Sequence, residues 1–162
     1  MKDSIEMSKR SFYIIIGLCA VIIMMVSLET ILMVKGNEIF ELWKSNPKLV
    51  DKVVGSSVEE MYSIYLTMCL SMFFIKIITP IALTINTYFA FVKLRVNKLF
   101  VQIWIVLLIG LFAFTAIMEN FYSIFFIVST ASYLGLVIVM LYFWVSINKR
   151  KNEQVLEELQ KL

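Results

Sequence analysis

Two charged residues lie inside long apolar stretches of this sequence, and they have opposite signs. The chain has 15 Lys and Arg residues and 12 Asp and Glu residues, and nearly all of them fall in polar segments. Glu29 and Lys76 are the exceptions, and Glu119 lies at the end of an apolar stretch. A charge at the centre of a membrane helix costs on the order of 2.5–3.5 kcal/mol on insertion scales, so such residues are usually paired or functional. The chemistry they indicate is an ion pair within the membrane, or a binding site for an ion or polar substrate.

The helical rise places Glu29 and Lys76 at a similar depth. Counted from Ser11 and from Lys93 respectively, Glu29 lies about 27 Å and Lys76 about 25 Å from the inner boundary. Consecutive helices of a simple bundle are expected to be antiparallel neighbours. We therefore predict a Glu29–Lys76 ion pair between the first two spans, with Glu119 near its outer mouth. Fixing the register of the helices is the simpler interpretation, and lining a path for an ion or substrate is the alternative.

Further polar residues accompany Lys76 on roughly one side of its helix. Tyr65, Thr79 and Thr87 are related to it by combinations of three- and four-residue steps. Pro80 has no amide hydrogen and predicts a kink in the middle of the stretch. A partly polar face beside a kink is typical of a cavity lining, and equally of a bundle interior held by hydrogen bonds.

Patterns that would indicate catalysis or metal binding are missing. The sequence has no His and two Cys, and Cys19 and Cys69 are expected at different depths, so they cannot form a disulfide. No Gly-rich phosphate loop, CxxC, HExxH or GxSxG motif is present. We predict that the protein is not an enzyme and that it needs no metal or cofactor.

The elements that position these residues are four apolar stretches. The chain is 60% hydrophobic and 17% charged, against roughly 45–50% and about 25% in a typical soluble domain. The stretches cover about 12–34, 61–92, 99–118 and 123–145, and each can cross a bilayer core, which takes roughly 20 helical residues. The predicted fold is an all-α integral membrane protein, with an antiparallel four-helix transmembrane bundle forming one domain over 1–162.

The Lys and Arg residues predict the orientation of the bundle. Three lie in 1–10, three in 93–98 and four in 146–162, whereas four lie in 35–60 together with five acids. Ten against four indicates cytoplasmic N- and C-termini under the positive-inside rule. The predicted location is the cell membrane.

The two longest polar segments have apolar patterns of their own. Segment 35–60 predicts two short amphipathic helices on the outer surface, the first around Phe40 and Trp43 and the second over 47–54. They form either a lid or ligand platform, or a connector packed against lipid and the bundle. The tail 146–162 predicts a cytoplasmic continuation of the last helix with an apolar stripe, which consists of Val155, Leu156, Leu159 and Leu162.

Small residues mark places where helices can approach closely. Ser63, Thr67 and Ser71 form such a stripe in the second span, and Ala131 with Gly135 forms another in the fourth. Either stripe can serve packing within the chain or contact with another helix.

Together these features favour a non-enzymatic accessory or interaction protein. Its expected partners are the lipid bilayer, further copies of itself or other membrane subunits, with a cytosolic or membrane-surface contact through 153–162. A small oligomeric transporter or channel using Glu29, Lys76 and the Pro80 kink is the alternative, and an immunity or sensor protein is a further one. Nucleic acid is not an expected partner, because the basic residues are spread over four polar segments.

Overall fold

The computed structural model describes residues 4–45, 57–93, 95–118 and 123–160. Of these described residues, 90% are helical. The helices are α1 (Lys9–Lys35), α2 (Asn37–Lys44), α3 (Val58–Val92), α4 (Lys98–Met118) and α5 (Ile124–Leu159), and two short strands are β1 (Ser4–Ile5) and β2 (Val96–Asn97). Four of the helices, α1, α3, α4 and α5, are long and apolar enough to span a membrane.

Helices α1 and α3 begin at capping side chains. The Ser8 hydroxyl accepts a hydrogen bond from the Ser11 amide at the start of α1. At the start of α3, Ser57 and Glu60 form both bonds of a capping box. Because these bonds satisfy amides that have no partner within the helix, they fix the first helical residue.

The long helix α3 continues through Pro80. It runs from Val58 to Val92 with the buried proline inside it, so Pro80 does not end the helix. Since proline has no amide hydrogen, residue 80 cannot donate to the carbonyl of Lys76, four residues before it. The predicted bend at Pro80 stays a prediction.

Helix α1 is the centre of the packing. It packs most extensively against α3 and α5, while α4 packs against α5 and only lightly against α3. An added Cβ at Gly135 of α5 would lie 3.1 Å from the Leu18 side chain of α1, so this glycine allows the close approach of those two helices. Ala131, one turn earlier, is exposed and does not extend the contact.

Helix α2 is the first of the two short helices predicted for segment 35–60. It follows α1 directly after Gly36 and packs on α1 and α3. The second predicted helix, over 47–54, lies outside the described residues. At the other end of the chain α5 extends to Leu159, and Leu156 and Leu159 of the predicted stripe are exposed. Leu162 and the side chain of Val155 lie outside the description.

The two strands join segments that are distant in sequence. β1 pairs with β2 in antiparallel register, with Ser4 opposite Asn97 and Ile5 opposite Val96. Val96 and the nearby Met7 are buried in the same core cluster as the helix residues. The chain before α1 is therefore attached to the connection between α3 and α4, which the sequence analysis did not predict.

Candidate functional site

Glu29 and Lys76 lie in contact between α1 and α3. The Lys76 Nζ donates to Glu29 Oε2 at a distance of 2.9 Å. The residues are 8% and 6% exposed, respectively. The structure thus brings the two side chains together as the ion-pair hypothesis requires, while their role as a functional site stays a prediction.

Helical periodicity places both charges on the faces that pack. The buried positions of α1 recur at alternating steps of four and three residues, at Ile15, Cys19, Ile22, Val26 and Glu29. Those of α3 follow the same period, at Tyr65, Cys69, Lys76, Pro80, Leu83, Thr87 and Ala90. Each charge therefore occupies one position of an otherwise mostly apolar packing stripe, and each enters the interface with its helix.

The pair is sealed by packing. Neither Glu29 nor Lys76 lines any of three grooves among the described residues, which lie at the start of α1, between α4 and α5, and between α3 and α4. In such surroundings the mutual attraction of the two charges offsets much of the cost of removing each from water. Removal of Lys76 alone would leave the buried Glu29 carboxylate without this partner. The arrangement is suited to fixing the register of α1 against α3.

Of the other residues proposed for this site, Thr79 and Pro80 are the nearest to Lys76 in sequence. Thr79 is half-buried and lines an open, mostly apolar groove of about 490 Å³ between α3 and α4. Pro80 is buried one turn after Lys76 on the packing face of α3. Glu119 lies outside the described residues. Within the described part of the chain, Thr79 and the ion pair do not share one groove lining.

Tyr65 belongs to an aromatic cluster that holds α2 against α3. Its ring centroid lies 5.4 Å from that of Phe40 and 5.4 Å from that of Trp43, and Phe40 also meets Tyr62 edge-on at 5.2 Å. The Tyr65 hydroxyl donates to the Met33 carbonyl at 2.8 Å. That carbonyl is in the last turn of α1, where the helix supplies no regular donor. Tyr65 thus joins three helices by packing, and we assign it a structural role.

Thr87 is fully buried, and among the described residues its hydroxyl has no hydrogen-bond partner. It lies on the packing face of α3, three turns after Lys76. Placing a hydroxyl in an apolar interior without a partner is unfavourable, because its hydrogen bonds to water are not replaced. No groove formed by described residues has Thr87 in its lining. The cavity-lining role of Thr87 stays a prediction.

This burial predicts that Thr87→Val stabilises the protein. Valine has nearly the same shape and removes the unpartnered hydroxyl, so we expect the free energy of unfolding to rise by about 1 kcal/mol. Thr115→Val is the matched control, because the buried Thr115 hydroxyl already donates to the carbonyl of Leu111 or Phe112. The measurement is thermal unfolding of both variants in one detergent. A lower stability for Thr87→Val would show that the hydroxyl has a partner in solution.

A second group of polar side chains lies at the start of α1, and the sequence analysis did not single it out. Glu6, Ser8 and Ser11 line a groove together with Ser146 and Arg150 of α5. These two sets are more than 130 residues apart in sequence. Only the packing of α1 on α5 brings them together, so no local pattern indicates the groove.

The described residues contain no candidate metal cluster, and the chain has no match among known proteins. Within residues 4–45, 57–93, 95–118 and 123–160, no three His, Cys, Asp or Glu side chains are grouped so that they could hold a metal ion. In comparisons with known proteins, no family model, curated protein or solved structure matches the chain.

Proposed function

We propose that the protein is a multi-pass cell-membrane protein with cytoplasmic termini, and that it works as a non-enzymatic accessory or interaction subunit. Its four span-length helices form an antiparallel bundle in this proposal. Support for the placement comes from the apolar side chains that cover the outside of α1, α3, α4 and α5, such as Leu32, Phe74, Val106 and Ile138. Water would not favour so much exposed apolar surface on four helices, whereas lipid would.

The observation that carries the interaction role is a hydroxyl stripe on the outside of α3. Ser63, Thr67 and Ser71 are all exposed, although they lie in a helix that would cross the membrane. They occupy the side of α3 opposite to Tyr65, Cys69 and Lys76. Small residues at four-residue spacing allow a second helix to approach closely, and their hydroxyls can bond across the contact. The stripe is therefore suited to another helix, supplied by a second copy or by another membrane subunit.

The stripe is not required for packing within the chain. The Thr67 hydroxyl donates to the Ser63 carbonyl of its own helix at 2.9 Å. This hydroxyl therefore needs no acceptor from another helix of the chain. In contrast, Gly135 of α5 is used inside the molecule, where it faces Leu18. Of the two small-residue stripes in the sequence, the one in α3 is open to a partner.

Photo-crosslinking from position 67 tests this role. A benzoylphenylalanine introduced at Thr67 is expected to form a specific adduct in membranes, and Thr67→Leu is expected to weaken the same association. Ile138 of α5 is 65% exposed and provides the matched control position on another helix. An adduct of twice the chain's mass would indicate a second copy, and another discrete mass would indicate a different subunit. No adduct from position 67, or equal adducts from both positions, would contradict the proposal.

A transporter or channel is the alternative, and it requires access to Lys76. The sealing of the Glu29–Lys76 pair favours a register role over a path, and the described grooves do not reach the pair. No contact among the described residues favours an immunity or sensor role over the interaction role.

A further inference from the structure

A groove of about 370 Å³ lies where the start of α1 meets the second half of α5. Its volume is within the roughly 300–1,000 Å³ that small-molecule sites occupy. The polar part of its lining consists of one acid, one base and four hydroxyl side chains: Glu6, Arg150, Ser8, Ser11, Tyr142 and Ser146. These groups do not contribute to the Glu29–Lys76 pair or to the hydroxyl stripe of α3.

The two charges of the groove are opposite but separate. Glu6 and Arg150 line the same groove, and among the described residues they form no ion pair with each other. Their formal charges cancel, so the groove has no excess attraction for a simple anion. It is complementary to a ligand that has one positive and one negative group and can contact both side chains.

The hydroxyl groups supply donors and acceptors for such a ligand. The Ser8 and Ser11 hydroxyls lie 2.9 Å apart, so one of them donates to the other and the second retains a proton for a ligand. The Ser146 hydroxyl donates to the Tyr142 carbonyl at 2.8 Å, which leaves its oxygen as an acceptor. With Arg150 as a donor of several N–H groups and Glu6 as an acceptor, the lining can bind both a phosphate and an ammonium.

The groove lies between exposed basic residues and exposed apolar residues, as a binding site for a lipid headgroup would. In the proposed placement the groove lies at the cytoplasmic end of the bundle, where Lys9, Arg10 and Lys149 are exposed. Going toward the membrane along α1 and α5, the exposed side chains become apolar, as at Ile14 and Val145. A ligand with its polar group in the groove would have apolar surface beside it for acyl chains, which a soluble ligand would not use.

We infer that this groove binds the phosphoethanolamine headgroup of a membrane phospholipid, with the phosphate at Arg150 and the ammonium at Glu6. The inference rests on the proposed membrane placement, but it does not depend on the helix partner of α3. The lipid would hold the start of α1 against α5 at the membrane surface.

Lipid retention by the purified full-length chain tests the inference. The chain in detergent is titrated with dioleoyl phosphatidylethanolamine or dioleoyl phosphatidylglycerol, and native mass spectrometry measures the bound lipid. We expect the ethanolamine lipid to be retained preferentially, and Arg150→Gln and Glu6→Gln each to reduce its binding about tenfold, because each removes a charge-assisted hydrogen bond. Lys149→Gln and Glu153→Gln make the same charge changes on exposed, paired side chains outside the groove. We expect less than a twofold change from them.

Several results would overturn the inference. If Glu6→Gln leaves binding of phosphatidylethanolamine unchanged and strengthens binding of phosphatidylglycerol, the groove is an anion site. If O-phosphorylethanolamine or inorganic phosphate protects the chain from thermal unfolding as well as the lipid does, the ligand is a soluble phosphate compound. Equal losses of lipid binding in the four variants would mean that diffuse surface charge, and not this groove, binds the lipid. Fractionation of the wild type with membranes tests the placement separately, so failure of lipid binding in a membrane-bound chain would leave the interaction role standing.

Discussion

Replacement of Lys76 by Met is expected to lower the free energy of unfolding by on the order of 3–5 kcal/mol, because it leaves Glu29 buried without its partner. The Lys76 Nζ lies 2.9 Å from Glu29 Oε2, and both side chains are almost fully buried. Methionine fills most of the lysine's volume, so loss of packing contributes little. The effect would appear as a lower midpoint of thermal unfolding in detergent and as a smaller yield of folded protein.

The double variant Glu29→Met/Lys76→Met distinguishes the net contribution of the ion pair from the cost of leaving one buried charge alone. With both charges removed, neither member of the pair leaves the other uncompensated, and replacement of buried ion pairs by apolar residues is often neutral or stabilising by about 1–4 kcal/mol. We therefore expect the double variant to recover most of the stability that Lys76→Met loses. Lys44→Met is the control, since Lys44 pairs with Glu41 in partly exposed surroundings; its effect should be below about 1 kcal/mol. Equal stability of wild type and Lys76→Met would contradict the interpretation.

The second large effect is expected for Phe40→Ala, which removes the ring at the centre of the aromatic cluster. Phe40 is 8% exposed and its ring contacts those of Trp43, Tyr62 and Tyr65. Truncation of a buried Phe to Ala typically costs about 3–5 kcal/mol. Because α2 has only eight residues, it is too short to be stable without packing. We therefore expect α2 to separate from α3 and unfold locally, with α1 and α5 still packed.

Hydrogen exchange measured by mass spectrometry would detect this local unfolding. Amides of α2 should exchange much faster in Phe40→Ala, whereas amides around Ile22 and Leu136 in the main core should keep their protection. Leu42→Ala is the matched control, because Leu42 lies in the same helix and is 72% exposed; it should leave the exchange of α2 nearly unchanged. Uniformly faster exchange over all helices would show that the aromatic cluster stabilises the bundle as a whole.

The sequence predicts those features that depend on the helical spacing of residues and on how apolar each segment is. Long apolar stretches predict four span-length helices, and the structure has them. The contact between Glu29 and Lys76 follows from a similar argument. Each is the one charge within the apolar stretch of its helix, so matched depth and the cost of burial leave few arrangements other than a pair.

Features that depend on tertiary packing were not predictable in this way. Thr79 is three residues from Lys76, yet it is directed to the groove beside α4, because a step of three residues rotates the side chain by about 60° from the buried face. The strand pair and the Glu6–Arg150 groove combine segments that are distant in sequence. Neither has a local period, because each strand has two residues and the groove draws on three separate elements.

In the proposed membrane placement, the strand pair limits how many times the chain can cross the bilayer. β1 and β2 are hydrogen-bonded partners, so residues 4–5 and 96–97 must be on the same side of the bilayer. The number of crossings between them must then be even, and α1 and α3 supply two. This parity condition comes from backbone pairing and does not use any count of Lys and Arg. A topology in which either helix failed to cross would break the only sheet in the described residues.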